Sequence, residues 1–172
     1  QNVTPQGLDL EDVKFINKET HDGMLKRSQV SEFDLLVKIT GVGRMAVSSV
    51  TPKDFAGNIN QHLVIIKTKN EETSNILATF LNSDIGEKLA TKRATGGTRP
   101  ALDYKALKSI PIVFKSEIVK VMRNAIFKSK QKESEALTIL NSVNDYVLDE
   151  LKIKFDKIVE DKTYCVNFED ID

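Results

Sequence analysis

All eight glycines and all four prolines of the chain fall before residue 112, so nothing from Ser116 to the carboxyl terminus interrupts a helix strongly. Ser116 is a suitable N-cap and Glu117 suits the positive end of the helix dipole, which predicts a long helix from Glu117 to about Leu151. At about 1.5 Å per residue it would extend on the order of 50 Å. Met122, Ile126, Ser129, Glu133, Ala136, Leu140, Val143 and Val147 advance by alternating fours and threes, the spacing of a seam that packs on partner helices. Ser129 and Glu133 place polar groups in that seam, marking either a break between two shorter helices or a point where polar groups of a partner fit. A helix of this length is expected to leave the domain that carries it; the alternative is a helix folded back on its own domain.

The preceding residues have the patterning of an α+β unit. Val13–Ile16 is a short candidate strand and Asn17–Gly23 a turn or loop. Asp34–Thr40, rich in apolar and β-branched residues, is a stronger strand, and Gly41-Val42-Gly43 gives a tight turn into Met45–Val50, predicting a hairpin. Pro52 and Gly57 bracket a loop before the buried strand Leu63–Ile66. Thr73 or Ser74 is the expected cap of a helix through Ile76, Leu77, Phe80 and Leu81, with a second helical stretch from Asp84 through Ile85, Leu89 and Ala90. Asp103 caps a short helix through Ala106 and Leu107, and Pro111 restricts Ile110–Phe114 to an edge strand. The expected organisation is a mainly antiparallel sheet with packed helices over residues 1–115, a helical spacer or dimerisation element over 116–157 and an acidic linker over 158–172. A chain of 172 residues, 40% of them hydrophobic, suffices for one ordinary domain with an appended element.

Charge separates along the chain. The totals balance at 25 basic and 25 acidic residues, which by itself argues against a nucleic-acid binder. Between Asp84 and Lys132, however, twelve basic residues face four acidic ones, whereas from Glu133 onward eleven acidic residues face four basic ones. A local field of this kind attracts a polyanion even when the whole molecule is neutral, because salt limits each charge to roughly 8 Å. The loop Lys92-Arg93-Ala94-Thr95-Gly96-Gly97-Thr98-Arg99-Pro100-Ala101-Leu102 lies in the basic part, hinged by two glycines and flanked by apolar segments. Cys165 is the lone cysteine, excluding an internal disulfide framework or a CxxC pair and fitting a reducing cytoplasm. No apolar run approaches the roughly 20 residues of a membrane span.

The motifs of common enzyme classes are missing. The chain has no G-x-x-x-x-G-K-S/T phosphate loop and no G-x-S-x-G elbow, and Gly41-Val42-Gly43 lacks the third glycine and following helix of a dinucleotide site. His21 and His62, the two histidines, form no HExxH pair. Asp12-Val13-Lys14 and Glu150-Leu151-Lys152 have the D/E-x-K form found in metal-dependent nucleases, but short triplets of this kind recur by chance. No catalytic residue, metal ligand or cofactor is assigned.

Four pieces, in order, carry a resemblance to a known family. They are Asp34–Val47, with a hydrophobic strand, Gly-x-Gly and a second hydrophobic strand; Asn60-Gln61-His62 leading into Leu63–Ile66; Phe80-Leu81-Asn82-Ser83-Asp84-Ile85-Gly86; and Gly96–Leu102 followed by Leu107–Ile112. Together they resemble a target recognition domain of a type I restriction-modification specificity subunit, or the related domain of type IIG enzymes, over about Glu32 to Leu151. Phe33 stands where the family pattern usually has glycine, and the proline that closes the last strand of the pattern is missing, since Phe114 and Lys115 follow Val113.

The resemblance implies a prokaryotic, cytoplasmic, non-catalytic DNA-binding subunit. It would read one half of a split double-stranded target while its helix sets the spacing and docks methyltransferase and restriction subunits. One recognition domain fits in this chain, so the resemblance implies half of a specificity subunit, with Tyr164–Phe168 as a linker toward a second half or with a homodimer formed through the helix. Lys88, Lys92, Arg93 and Arg99 suit phosphates, as do the backbone amides near Gly96, Gly97 and Thr98. Arg44, Asn58, Asn60, Gln61 and His62 carry the donor and acceptor groups that base edges require. Met122, Ile126, Ala136, Leu140, Val143 and Val147 are the candidate partner face. The competing reading is a protein-interaction adaptor with a coiled-coil helix and no nucleic acid, and a third is a small Mg²⁺ nuclease.

Overall fold

A computed structural model describes residues 2–11 and 13–152; Asp12 of the first D/E-x-K triplet, Cys165, residues 153–157 of the expected spacer and the whole 158–172 linker lie outside them. The fold is α+β, and the chain divides into two units, Gln1–Phe127 and Lys128–Asp172.

The first unit is built on a three-stranded antiparallel sheet of β4 (Leu35–Lys38), β5 (Ser48–Val50) and β7 (Leu63–Ile66), with β4 in the middle. Leu35 lies opposite Val50 on one side and Ile66 on the other, and Val37 opposite Ser48 and Val64. Alternation along β4 then sorts its side chains onto two faces. Leu35 and Val37 enter a core with Met45, Val64, Leu81, Ala90, Leu102 and Leu107, under helices α2 (Glu71–Leu81) and α3 (Asp84–Thr91). Leu36 enters a smaller cluster with Val3, Val30 and Val47. There the amino-terminal hairpin of β1 (Val3–Thr4) and β2 (Gly7–Leu8) sits against β5, held by Ser49 Oγ donating to the carbonyls of Thr4 and Gly7. A further short pair, β3 (Gln29–Val30) with β6 (Gly57–Asn58), completes the strands described.

Several local expectations give way to better-satisfied alternatives. Val13–Ile16 is irregular, with Phe15 92% exposed. Asn17–Gly23 is not a loop but α1 (Lys18–Asp22), because Asn17 Oδ1 accepts from Thr20 N at 2.7 Å and caps it. Asn70, rather than Thr73 or Ser74, caps α2 by accepting from Thr73 N, which frees Ser74 to be fully buried and donate to Phe33 O. β4 and β5 form the expected hairpin, but its connection is longer than a tight turn: Ala46 N donates to Lys38 O and Val47 O accepts from Lys38 N, so two residues face one, and the side chains of Met45–Val47 enter the two cores. Ile110–Phe114 forms no strand, Pro111 having no amide to donate. The strand Leu63–Ile66 and the short helix α4 (Tyr104–Lys108), capped by Asp103 Oδ1 accepting from Ala106 N, stand as the patterning predicts.

Asn82 closes the outer edge of β5. Its Oδ1 accepts from Ser48 N at 2.9 Å and its Nδ2 donates to Ser48 O at 2.7 Å, supplying from one side chain both bonds a neighbouring strand would give. Ser48 is buried, so truncating the amide strands a donor and an acceptor. Asn82→Ala is expected to cost about 2–4 kcal/mol in urea unfolding; a loss below about 0.5 kcal/mol would remove Asn82 from this role.

Helix α5 runs Ser116–Glu150 without a break at Ser129 or Glu133, and Ser116 lies inside it rather than before it. Its first part belongs with the first unit, beyond the residue-115 boundary drawn from the sequence: Arg123 forms an ion pair with Glu72 of α2, its Nε 2.6 Å from Glu72 Oε1. Met122 and Ile126 at the start of the seam are half-buried, whereas in the second unit Leu140, Val143 and Val147 are 64%, 49% and 43% exposed, so this later part of the seam has no partner in the described residues. The second D/E-x-K triplet sits at the carboxyl end of this helix, where Glu150 is the last helical residue.

Candidate functional site

The far end of β4 gathers two loops. Ile39 N donates to His62 O, and one step on Ile39 O accepts from Leu102 N, so the segment Pro100–Leu102 takes over beside β4 where β7 stops. Thr40 bridges Ala101, Gly41 N donates to Pro100 O at 3.1 Å, and Ala101 in turn pairs with Thr95 through bonds of 2.8 and 2.9 Å. The basic loop is therefore a small hairpin, Thr95–Ala101, laid onto the sheet as an extra edge. Buried Leu102 anchors its outgoing arm in the main core, and Ala94 packs against the same core from the incoming arm.

Its tip projects to solvent, with Thr95 through Arg99 all exposed. Gly96 has φ +99, and a Cβ there would lie 3.1 Å from the carbonyl oxygen of Arg99, so the turn requires glycine. Gly97 has open space around it; its value is that nothing covers its backbone.

Lys88 and Lys92, one turn apart at the end of α3, are exposed beside the incoming arm, and the helix carboxyl terminus favours cations there. Among the described residues Lys88, Lys92 and Arg99 have no carboxylate partner. Arg93 differs. Its Nε donates to Ser109 Oγ and its Nη1 to Leu89 O, both at 2.9 Å, so it ties the hairpin base to α3 and α4.

Next to the hairpin along the same edge of β4, at the start of β7, stands the turn Asn60-Gln61-His62. Asn60 Oδ1 accepts from His62 N at 3.0 Å, His62 Nδ1 shares a 2.6 Å hydrogen bond with Thr40 Oγ1, and Gln61 is exposed. The structure thus brings Asn60, Gln61 and His62 to the same strand end as Gly96, Gly97, Thr98 and Arg99.

Two sequence candidates are spent elsewhere. Asn58 accepts from His21 Nδ1 at 2.5 Å and donates to Leu25 O and Ser28 Oγ, which uses its amide to hold the segment after α1. Arg44 turns toward the helices, where it meets Glu87 at 3.4 Å and donates to Asn82 O, while its buried Nε has no partner among the described residues. Reasoning from the sequence overlooked Thr40 and Lys38. Alternation in β4 places Lys38 on the face away from α2, a signal that was available; the Thr40–His62 pairing spans 22 residues and has no local signature.

Among the described residues no group of three or more His, Cys, Asp or Glu side chains is placed to hold a metal ion, and no helix is long and apolar enough to cross a membrane. No family model and no curated protein matches this sequence.

Proposed function

We propose that this chain is a sequence-specific DNA-binding specificity subunit of a restriction-modification system, working in the cytoplasm. One recognition domain and a spacer helix would direct methyltransferase and endonuclease partners to a split target, with no catalytic step of its own. The observation that carries the reading is the shared strand end: an exposed glycine-hinged hairpin, with cations that have no carboxylate partner among the described residues, sits on β4 beside a turn bearing an asparagine, a glutamine and a histidine. Lys88, Lys92 and Arg99 with the open backbone at Gly97 suit phosphates, which fix position, and Asn60, Gln61 and His62 suit base edges, which fix sequence. Arg93 braces the base of the hairpin, whereas Arg44 and Asn58 are engaged elsewhere.

Backbone geometry supports the resemblance at two points. Phe33, at the position where the family pattern has glycine, has φ +61, a conformation glycine adopts freely. Gly86, the last residue of Phe80–Gly86, sits where α3 touches the end of α2 too closely for any side chain.

Binding of the full chain to a random duplex pool at two salt concentrations tests the reading. Affinity that falls steeply with salt, followed by selection of one recurrent half-site from the pool, is the expected result; no duplex binding at low salt would end it. The exposed α5 seam favours a protein partner as well, a second copy or a methyltransferase subunit. Leu140→Glu with Val143→Glu is expected to abolish that association, measured by sedimentation, while the melting of the first unit stays unchanged. An assembly that forms as before would separate the seam from partner binding.

A further inference from the structure

A small pocket lies on the β1/β2 side of this strand end, lined by Asn2, Val3, Lys38, Asn60, His62 and Leu63. It holds about 50 Å³, several times the roughly 10–15 Å³ one water needs and too little for a nucleoside. Its apolar lining comes from Val3 and Leu63, and its polar lining, from Asn2, Lys38, Asn60 and His62, holds no carboxylate. Lys38 is partly buried and donates to Val42 O at 3.2 Å, leaving two of its N–H groups and a charge with no ion-pair partner among the described residues. Asn60 has its oxygen committed to His62 N, which leaves its amide nitrogen as donor. His62 is held by Thr40 through Nδ1, which leaves Nε2.

The Lys38 ammonium makes its one hydrogen bond at the exposed rim and has no carboxylate partner among the described residues, so its charge is open to an incoming anion. The surrounding donors suit an oxyanion with several acceptor oxygens. From this geometry we infer that the pocket is a binding site for one phosphate group, with Lys38 as its charge and Asn60 and His62 as its orienting donors. The inference rests on the DNA-binding reading only for the source of that phosphate, a duplex phosphodiester rather than a free ion. In that setting His62 and Asn60 turn to the backbone instead of to base edges, and Gln61 is left as the base-reading side chain of the turn.

The test has two arms, both on the full chain. Titration with inorganic phosphate, matched for ionic strength with chloride, is expected to shift the His62 ring and Asn60 side-chain resonances saturably, and Lys38→Met is expected to abolish the shift. Lys38→Arg, which keeps the charge, should retain it. Should Lys38→Met fail to fold, His62→Gln replaces it, with a weakened phosphate response expected. Equal shifts with chloride, or no saturable shift, would overturn the site. In the second arm, Lys38→Met is expected to bind a mixed duplex pool about tenfold less tightly, with a salt slope shallower by about one and unchanged sequence preference. Phosphate binding with duplex affinity unaltered by Lys38→Met would overturn the phosphodiester as source and leave a free-phosphate site. A parent chain that binds phosphate but no duplex would refute the DNA-binding reading while upholding the pocket.

Discussion

Replacing Gly86 by alanine is expected to destabilise the first unit by about 3 kcal/mol or more, seen as a fall of roughly 10 °C in its thermal midpoint. In an ordinary helix interior the same change stabilises by up to about 1 kcal/mol, because alanine is the better helix former. Here a Cβ would stand 2.1 Å from Phe80 O and 2.8 Å from the Leu81 Cα, both backbone atoms. Neither can rotate away as a side-chain tip does. Ser83 fixes the approach: its Oγ donates to Phe80 O at 2.6 Å and accepts from Gly86 N at 3.1 Å, so α3 starts immediately against the last turn of α2. Relief requires shifting α3 bodily, and α3 carries buried Ala90 and the arm of the basic hairpin. A Gly86→Ala chain that melts with its parent would show that the two helices do not meet this closely. The sign of the effect decides the matter, since helix propensity and steric contact push in opposite directions.

Removing Lys88, Lys92 and Arg99 together is expected to weaken duplex binding roughly a hundredfold near physiological salt. The slope of log affinity against log salt should become shallower by about 2.7, at about 0.9 for each phosphate no longer neutralised. The weakening should be uniform across sequences, because charges that meet phosphates position the protein without reading bases. All three side chains are exposed and none has a carboxylate partner among the described residues, so the triple alanine variant should melt like its parent. Arg93 is left in place deliberately, since its bonds to Ser109 and Leu89 brace the hairpin and its removal would confuse binding with folding. If affinity and salt slope both match the parent, duplex DNA is not bound by this surface.

What is legible in the amino-acid chain alone follows a physical division. Elements whose signal is local came through well: Leu63–Ile66 as a strand, Asp103 as a cap, the long helix from the absence of glycine and proline. Where two local signals competed, tertiary burial chose between them. Asn70 took the cap because Ser74 was needed in the core beneath Phe33, and the short Val13–Ile16 pattern, with Phe15 exposed, pairs with no strand among the described residues. Long-range side-chain bonds were illegible. Nothing around Asn58 announces His21, and nothing around Asn82 announces Ser48, so Asn58 resembled a surface reader and Asn82 a helix end. The basic loop was legible as a hinged cationic segment, but its attachment to Thr40 beside His62 depends on how the sheet ends, which is a property of the fold.

The way the Thr95–Ala101 hairpin is fastened bears on how such a protein can change over generations. Its shape is set at the root, by the Thr95–Ala101 pairing, Leu102 and Arg93, and at one point of the turn by Gly96. Gly97, Thr98 and Arg99 bear no structural burden, and Gly97 has empty space where a side chain would go. Mutation can therefore alter those positions without endangering the scaffold, so what the tip carries can change while the fold beneath it is kept.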